Sequence, residues 1–406
     1  MSFFYNLFIS LFELALRLNS NFNLKNKRIV LGRKKTIEYV RSNIGKQEII
    51  WFHVASVGEF EQAKPIIESI KENYNHKILV SYFSSSAENT IKKNKNVDFH
   101  FYMLSDKSNQ MRLLLDLLKP KLLILIKYEF WKNLIYQAKL NSVPIISISS
   151  VFRKNQIYFY PISIFKNILK NVSMFLVQDE NSMNLLNKIK IEKVKVVGDS
   201  RYDRVLKIFN ESKSILGIKE FINNNNTIII GSAWKSDIDK IKNEILRDLT
   251  NTKYIIAPHN INNKEIEYLE NIFINDTIKF SELPQKNVRK RILIIDNIGM
   301  LSSIYKYGKI AFIGGGFRGA LHNSLEAAVW DIPIIYGYHK NNRKFIEVEK
   351  LEKKGIGFPI KNGNEFKLIK NRIFKNRDIG KGGNEFIKNN SGATEKIKDY
   401  LTKYLK

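Results

Sequence analysis

From Glu48 onward the chain repeats one local pattern, a short run of β-branched and aliphatic residues followed by a longer amphipathic stretch. The runs are Glu48–Val54, Lys77–Tyr82, Phe99–Met103, Leu122–Ile126, Ile145–Ile148, Met174–Val177 and Val194–Val197, with helical patterns such as Glu59–Asn73 and Met111–Leu118 between them. Strands that alternate with helices predict a parallel sheet with crossover helices. After a polar stretch from about Asn210 to Asn226 the pattern restarts, with runs at Thr227–Ile230, Tyr254–Ala257, Ile292–Ile295, Ala311–Ile313 and Ile334–Tyr336. A chain of 406 residues has room for two such α/β domains. We therefore expect two Rossmann-like domains, 21–210 and 211–406. The second carries a tail with Gly380, Gly382 and Gly383 and a basic C-terminal helix. Ligands of doubly wound sheets bind at the carboxyl ends of the strands, so the expected site faces an interdomain cleft.

Residues 1–20 stand outside this pattern. Phe3 to Leu18 is mostly apolar, interrupted by Asn6, Glu13 and Arg17. It is short for a spanning helix, which needs about 20 apolar residues, and lacks the basic start and small-residue cleavage site of a signal peptide. A membrane-surface helix or marginal anchor is expected; a helix packed on the protein's own core is the alternative.

There are 67 basic against 39 acidic residues, a net charge of +28. That excess fits an anionic membrane, a phosphorylated substrate or nucleic acid, or drift in a composition rich in Lys, Asn and Ile. The basic residues are scattered, which argues against nucleic acid as a partner. The chain has no cysteine, so disulfide and thiolate chemistry are excluded, and a reducing cytosol suits it.

Chemistry-bearing residues gather at predicted strand ends. Ser56-Val57-Gly58-Glu59 follows the first run, where a turn into a helix exposes backbone N–H groups and one carboxylate, a seat for a general base. Helix-dipole preference alone also favours an acidic residue there. Glu129 follows Leu122–Ile126, as a cleft-facing carboxylate or a loop salt bridge. Arg201 follows Val194–Val197 and has the planar fork that suits phosphate or carboxylate, while Asp203 and Arg204 are candidates to pair with each other. Gly314-Gly315-Gly316 after Ala311–Ile313 offers a phosphate loop, and Asn323 and Glu326 downstream share a helix face on which a carboxylate accepts ribose hydroxyls. No Walker lysine follows the glycines, and no metal-ligand cluster is evident.

Taken together, these motifs resemble those of the 3-deoxy-D-manno-octulosonic acid (Kdo) transferases. The matching stretches are WFHVASVGEFEQAKPI (51–66), YEFWKNLI (128–135), VVGDSRYDRV (196–205), GSAW (231–234), APH (257–259), DNIGMLSSIY (296–305) and IGGGF…HNSLEAAVWDIPIIYG (313–337). The resemblance implies a GT-B fold and a membrane-associated N-terminal helix at the cytoplasmic face of the bacterial inner membrane. It implies CMP-Kdo as donor, a lipid A precursor (lipid IVA) as acceptor, and transfer with inversion, without metal or cofactor. It further implies Glu59 as catalytic base and Glu129 and Arg201 as transition-state stabilisers. Pro258, His259, Ile298, Gly299, Met300, Asn323, Ser324, Leu325 and Glu326 are implied as CMP-binding. Two departures stand out: the loop 339–349 is unusually basic, and Ala320-Leu321 stands where a Gly-Gly pair commonly precedes His-Asn. The rival readings are another GT-B nucleotide-sugar transferase or epimerase and, more remotely, a basic nucleic-acid-binding protein.

Overall fold

Two seven-stranded sheets, parallel throughout, organise the computed structural model, which describes residues 2–45, 47–160, 164–283 and 290–406. The first sheet is built from β1 (Ile49–Val54), β2 (Lys77–Tyr82), β3 (Phe99–Tyr102), β4 (Leu122–Ile126), β5 (Ile145–Ser150), β6 (Met174–Val177) and β7 (Val194–Val196). Its order is β3-β2-β1-β4-β5-β6-β7. The second contains β8 (Thr227–Ala233), β9 (Lys253–Pro258), β10 (Thr277–Lys279), β11 (Ile292–Ile294), β12 (Ile310–Ile313), β13 (Ile334–Gly337) and β14 (Gly357–Ile360). Its order is β10-β11-β9-β8-β12-β13-β14. The first sheet reverses its winding between β1 and β4, and in the second the chain leaves the adjacent strands β8 and β12 in opposite directions. Two such sheets are typical of the GT-B architecture.

The period of two along a strand explains the continuous apolar runs. In β1, Ile49 and Trp51 enter the core on one face of the sheet with Leu123 and Leu125 of β4. Ile50, Phe52 and Val54 enter the opposite core with Leu122, Ile124 and Ile126. Both faces are covered, so both sets of side chains are mostly apolar, and the buried exceptions such as His53 and Ser81 are hydrogen-bonded to each other. The second sheet follows the same rule, with Ile228, Ile230, Ile256, Ile294 and Phe312 in one core and the alternate residues Ile229, Ile255, Leu293 and Ala311 also buried.

Two strands not expected from the sequence are β10 and β14, and both are edges. β10 is three residues long, and β14 reads Gly-Phe-Pro-Ile, a composition a central strand cannot tolerate because proline has no N–H to donate.

The chain forms two compact units, one comprising residues up to Asp203 together with Ser391–Lys406, the other Arg204–Asn390. The C-terminal helix Ala393–Leu405, expected with the second domain, thus belongs to the first. Ile397, Leu401 and Leu405 are buried in the core that holds Ile66, Ile67 and Ile70 of the helix Val57–Asn73. Asp203, a candidate to pair with Arg204, caps this last helix, accepting from the amides of Gly392 and Thr394 and from the Thr394 hydroxyl. Burial of three apolar side chains outweighs sequence proximity to the second unit.

The N-terminal helix runs over Ser2–Asn19. Among the described residues no helix is long and apolar enough to cross a membrane. Polar side chains hold it to the first unit: the Tyr5 hydroxyl donates to Asp106, Asn6 accepts from the Asn133 amide, and Glu13 pairs with Lys107. Phe4, Phe8, Leu11 and Leu18 are exposed.

Candidate catalytic and nucleotide sites

In the first unit the two strands at the winding reversal, β1 and β4, deliver the two expected carboxylates. β1 runs through Ala55 and Ser56 into the helix Val57–Asn73, and Glu59 sits in that helix's first turn. Its Oε2 accepts from the Ala55 amide at 2.5 Å, folding the side chain back over the strand end. Burial lifts the Glu59 carboxyl to a pKa of about 7, the negative charge of Glu129 adds to the rise, and the Ala55 N–H and Lys127 oppose it. A carboxylate with that proton affinity is half ionised at neutral pH, which is what a general base requires.

Glu129 follows β4 through Lys127, whose backbone adopts the left-handed region at φ +57°. A lysine there is strained, and the turn it makes swings Glu129 back toward β1. Glu129 Oε2 accepts from the indole N–H of Trp131 at 2.8 Å and lies 3.6 Å from His53 Nε2. His53 is the penultimate residue of β1 and is wholly buried. The sequence reading did not single it out: inside an apolar run, one histidine gives no signal of what it faces.

Arg201 lies in the first turn of the helix Ser200–Glu211. The hydroxyl of Ser200 donates to the Gln62 carbonyl at 2.8 Å, which ties that helix to the one carrying Glu59. The Arg201 guanidinium is forked on Asp199, with Nε and Nη2 at 2.9 and 2.7 Å from Oδ2. The structure therefore places Arg201 within the same unit as the two glutamates, with its fork engaged by a carboxylate.

In the second unit the reversal between β8 and β12 gathers a different set. Trp234, just after β8, stacks on His259 at 3.9 Å between ring centroids and 22° between planes. His259 in turn stacks on His322 at 4.6 Å. The Trp234 indole N–H donates to His322 Nε2 at 3.1 Å, and the Arg318 guanidinium lies over the Trp234 ring at 4.4 Å. Burial and the nearby His259 push His322 down to about 4, so it is neutral at physiological pH. Of these rings only His259 was among the expected binding residues. GSAW and the His-Asn pair were visible motifs, but stacking between residues 25 and 63 positions apart is a product of the fold.

The expected CMP-binding residues fall into neighbouring strand-end segments of this unit. Pro258 ends β9 and His259 follows it. Glu326 accepts from the Ser302 hydroxyl and, at 3.1 Å, from the Asn323 amide, which joins the 323–326 segment to the one after Met300. Ile298 is 86% exposed and Gly299, at φ +106°, has open space where a side chain would stand. Ser324 and Leu325 are buried.

The three glycines are explained by packing. A Cβ on Gly314 would come 2.2 Å from the Ser232 carbonyl oxygen, and one on Gly316 would come 2.5 Å from that of Gly337. The Gly314 amide donates to Gly231 and the Gly315 amide to buried Asp237 at 2.8 Å. Two of the three amides expected to cradle a phosphate are thus engaged inside the protein. The loop's cationic side chain is Arg318, which is exposed and lies over the Trp234 ring. Among the described residues no group of three or more His, Asp or Glu side chains is disposed to hold a metal ion.

Comparison with known proteins agrees with this architecture. Residues 26–204 match the family model described as 3-deoxy-D-manno-octulosonic-acid transferase (kdotransferase). A 3-deoxy-D-manno-octulosonic acid transferase from Aquifex aeolicus is 29% identical over 321 residues, covering 78% of this chain and 83% of that protein. A bifunctional glycosyltransferase/methyltransferase from Fusobacterium nucleatum is 25% identical over 398 residues, 93% of this chain; the match spans 60% of that longer protein. Among solved structures, UDP-GlcNAc 2-epimerase from Neisseria meningitidis superposes with a TM-score of 0.58 at 14% identity, covering 87% of this chain and 100% of that one. At that identity the likeness is one of fold.

Proposed function

We propose that this chain, which belongs to the Kdo transferase family and is a glycosyltransferase-type enzyme acting on a nucleotide sugar, moves Kdo from CMP-Kdo to a lipid A precursor. The observation that carries the reading is Glu59: a half-buried carboxylate with a pKa near 7, at the carboxyl end of β1 and beside a second carboxylate.

In this reading the acceptor hydroxyl attacks the anomeric carbon of the Kdo residue, and the bond from that carbon to the CMP phosphate breaks, inverting the centre. Glu59 takes the hydroxyl proton as the new bond forms. The leaving phosphate gains negative charge, and Arg201, released from Asp199, is the group assigned to meet it. Glu129 holds the positive character that develops at the sugar carbon. In the second unit Asn323 and Glu326 are assigned to the ribose hydroxyls, with Pro258, His259, Ile298, Gly299, Met300, Ser324 and Leu325 around the nucleotide. Arg318 and the Trp234–His259–His322 stack supply a cation and flat faces there. The glycine loop shapes this seat through its close backbone packing.

The acceptor is a lipid, and the exposed apolar residues of the helix Ser2–Asn19 fit a protein lying on the cytoplasmic face of the inner membrane. A net charge of +28 favours an anionic bilayer and a phosphorylated acceptor.

The test is transfer by purified protein from CMP-Kdo to tetraacylated lipid A precursor, with Glu59→Gln and Glu59→Ala alongside. Wild type is expected to form product and both variants to lose activity by at least 100-fold. Binding of UDP-sugars in place of CMP-Kdo would overturn the donor, and full activity in both variants would remove the base.

A further inference from the structure

His53 is wholly buried, yet its Nε2 has no hydrogen-bond partner. A buried imidazole nitrogen left unpaired costs free energy, so its surroundings need an explanation. The other ring nitrogen, Nδ1, lies 2.9 Å from the Ser81 hydroxyl and 3.2 Å from the Ser81 carbonyl. The Ser81 hydroxyl already accepts the indole N–H of Trp51 at 2.7 Å. An indole is a donor only, so the hydroxyl proton remains available for Nδ1, and in the tautomer that uses it the ring's own proton sits on Nε2. That N–H points toward Glu129 Oε2, 3.6 Å away. Trp131 packs its edge against the His53 ring, with centroids 4.8 Å apart, and donates to the same oxygen.

From this geometry we propose that His53 is a positioning residue for the transfer, its Nε2–H holding the Glu129 carboxylate in place beside Glu59. The proposal rests on the reading of Glu59 as base. The gap exceeds a hydrogen bond in the free protein, and a carboxylate shift of roughly 0.7 Å closes it. Once closed, the contact fixes the Glu129 carboxylate beside Glu59, whose proton affinity its negative charge raises. The other titratable groups facing this cluster are Lys127 from the β4 end, buried Asp106 from the segment after β3, and Tyr158. Asp106 is held by the Tyr5 hydroxyl and the amides of Asn133 and Leu134.

Two experiments on the full-length protein test this. The first needs no turnover: with ¹⁵N-labelled histidine, the His53 signals of wild type are expected to show a protonated Nε2 and a bare Nδ1, and Glu129→Gln to move the Nε2 signal. A bare Nε2 in wild type, or signals indifferent to Glu129→Gln, overturns the proposal.

The second is the pH profile of His53→Asn, His53→Gln and Ser81→Ala. A glutamine amide nitrogen reaches the place of Nε2, whereas that of asparagine reaches only Nδ1. His53→Asn is expected to lower kcat at least tenfold with little change in KM, and to move the acid limb of kcat/KM down in pH as the Glu129 carboxylate drifts away from Glu59. His53→Gln is expected to restore both. Ser81→Ala leaves the backbone carbonyl as Nδ1's only partner, strips Nε2 of its proton and shifts the limb in the same direction as His53→Asn.

An unshifted limb in a folded His53→Asn, or equal damage in the Asn and Gln variants, overturns the role. Should His53→Asn fail to fold, Ser81→Ala and the ¹⁵N signals decide. If wild type transfers no Kdo at all, the functional reading fails, and the ¹⁵N response alone judges the His53–Glu129 contact.

Discussion

At the scale of single residues, Glu59 joins stability to activity. Its folded pKa of about 7 lies above the ordinary 4.5, so the fold is favoured when the group is protonated. That contribution is whole below about pH 4.5 and is lost as pH rises through 7. Each pH unit of difference is worth about 1.4 kcal/mol, so ionisation costs the fold roughly 3 kcal/mol by pH 8. Glu59→Gln is therefore expected to raise Tm at pH 8 and change it little at pH 4, by thermal unfolding followed at both pH values. For catalysis the sign is opposite: kcat/KM of wild type is expected to climb with pH to a plateau, with its acid limb near 7. Asp237 makes a different case, because it accepts two amides, from Trp234 and Gly315, in a buried place. Asp237→Ala leaves both donors unpaired and is expected to cost about 2–4 kcal/mol in denaturant unfolding, loosening the Trp234 stack with it.

At the scale of elements, the helix Ser2–Asn19 buries Leu16 but leaves most of its large apolar side chains outward. Its polar residues Tyr5, Asn6 and Glu13 face the protein, and Phe4, Phe8, Leu11 and Leu18 face outward. Solvent is a poor home for that face; a bilayer surface is a good one. Phe8→Glu with Leu11→Glu is expected to abolish sedimentation with vesicles containing anionic lipid while leaving Tm within about 1 °C, since neither side chain is buried in the fold. Wild-type binding should weaken as salt is raised, because part of the attraction is charge. Vesicle binding that survives both substitutions would locate the membrane contact elsewhere.

At the scale of the whole molecule, the chain returns to where it began. The helix Ala393–Leu405 covers the first unit's core through Ile397, Leu401 and Leu405, bonds His76 through the Leu405 carbonyl at 2.7 Å, and is capped by Asp203. Full burial of each aliphatic side chain contributes about 1.5–3 kcal/mol, comparable in sum to the net stability of a domain. A chain ending at Asn390 is therefore expected to unfold at markedly lower denaturant concentration in its first unit. Leu401→Ala is the milder test, at about 2–5 kcal/mol.

The strand–helix alternation, the seven strands of the first sheet and the strand-end placement of Glu59, Glu129 and Arg201 were legible in the residues themselves. Periodicity and turn chemistry act over a few neighbours, and a short run such as Leu122–Ile126 cannot avoid declaring itself. β10 and β14 escaped because edge strands are released from the composition rules that central strands obey. What lay beyond sequence reasoning were relations across long separations. These include His53 facing Glu129, Trp234 stacked on His259 and His322, Asp203 capping a helix almost two hundred residues away, and glycines that serve backbone packing before any ligand. Such contacts are set by which strands the sheets bring side by side, and a residue's type carries no record of its distant neighbour. The sequence by itself determined the elements and the chemical groups at their ends; the tertiary structure decided which of those groups meet, and so which carboxylate has its proton affinity raised to about neutral pH.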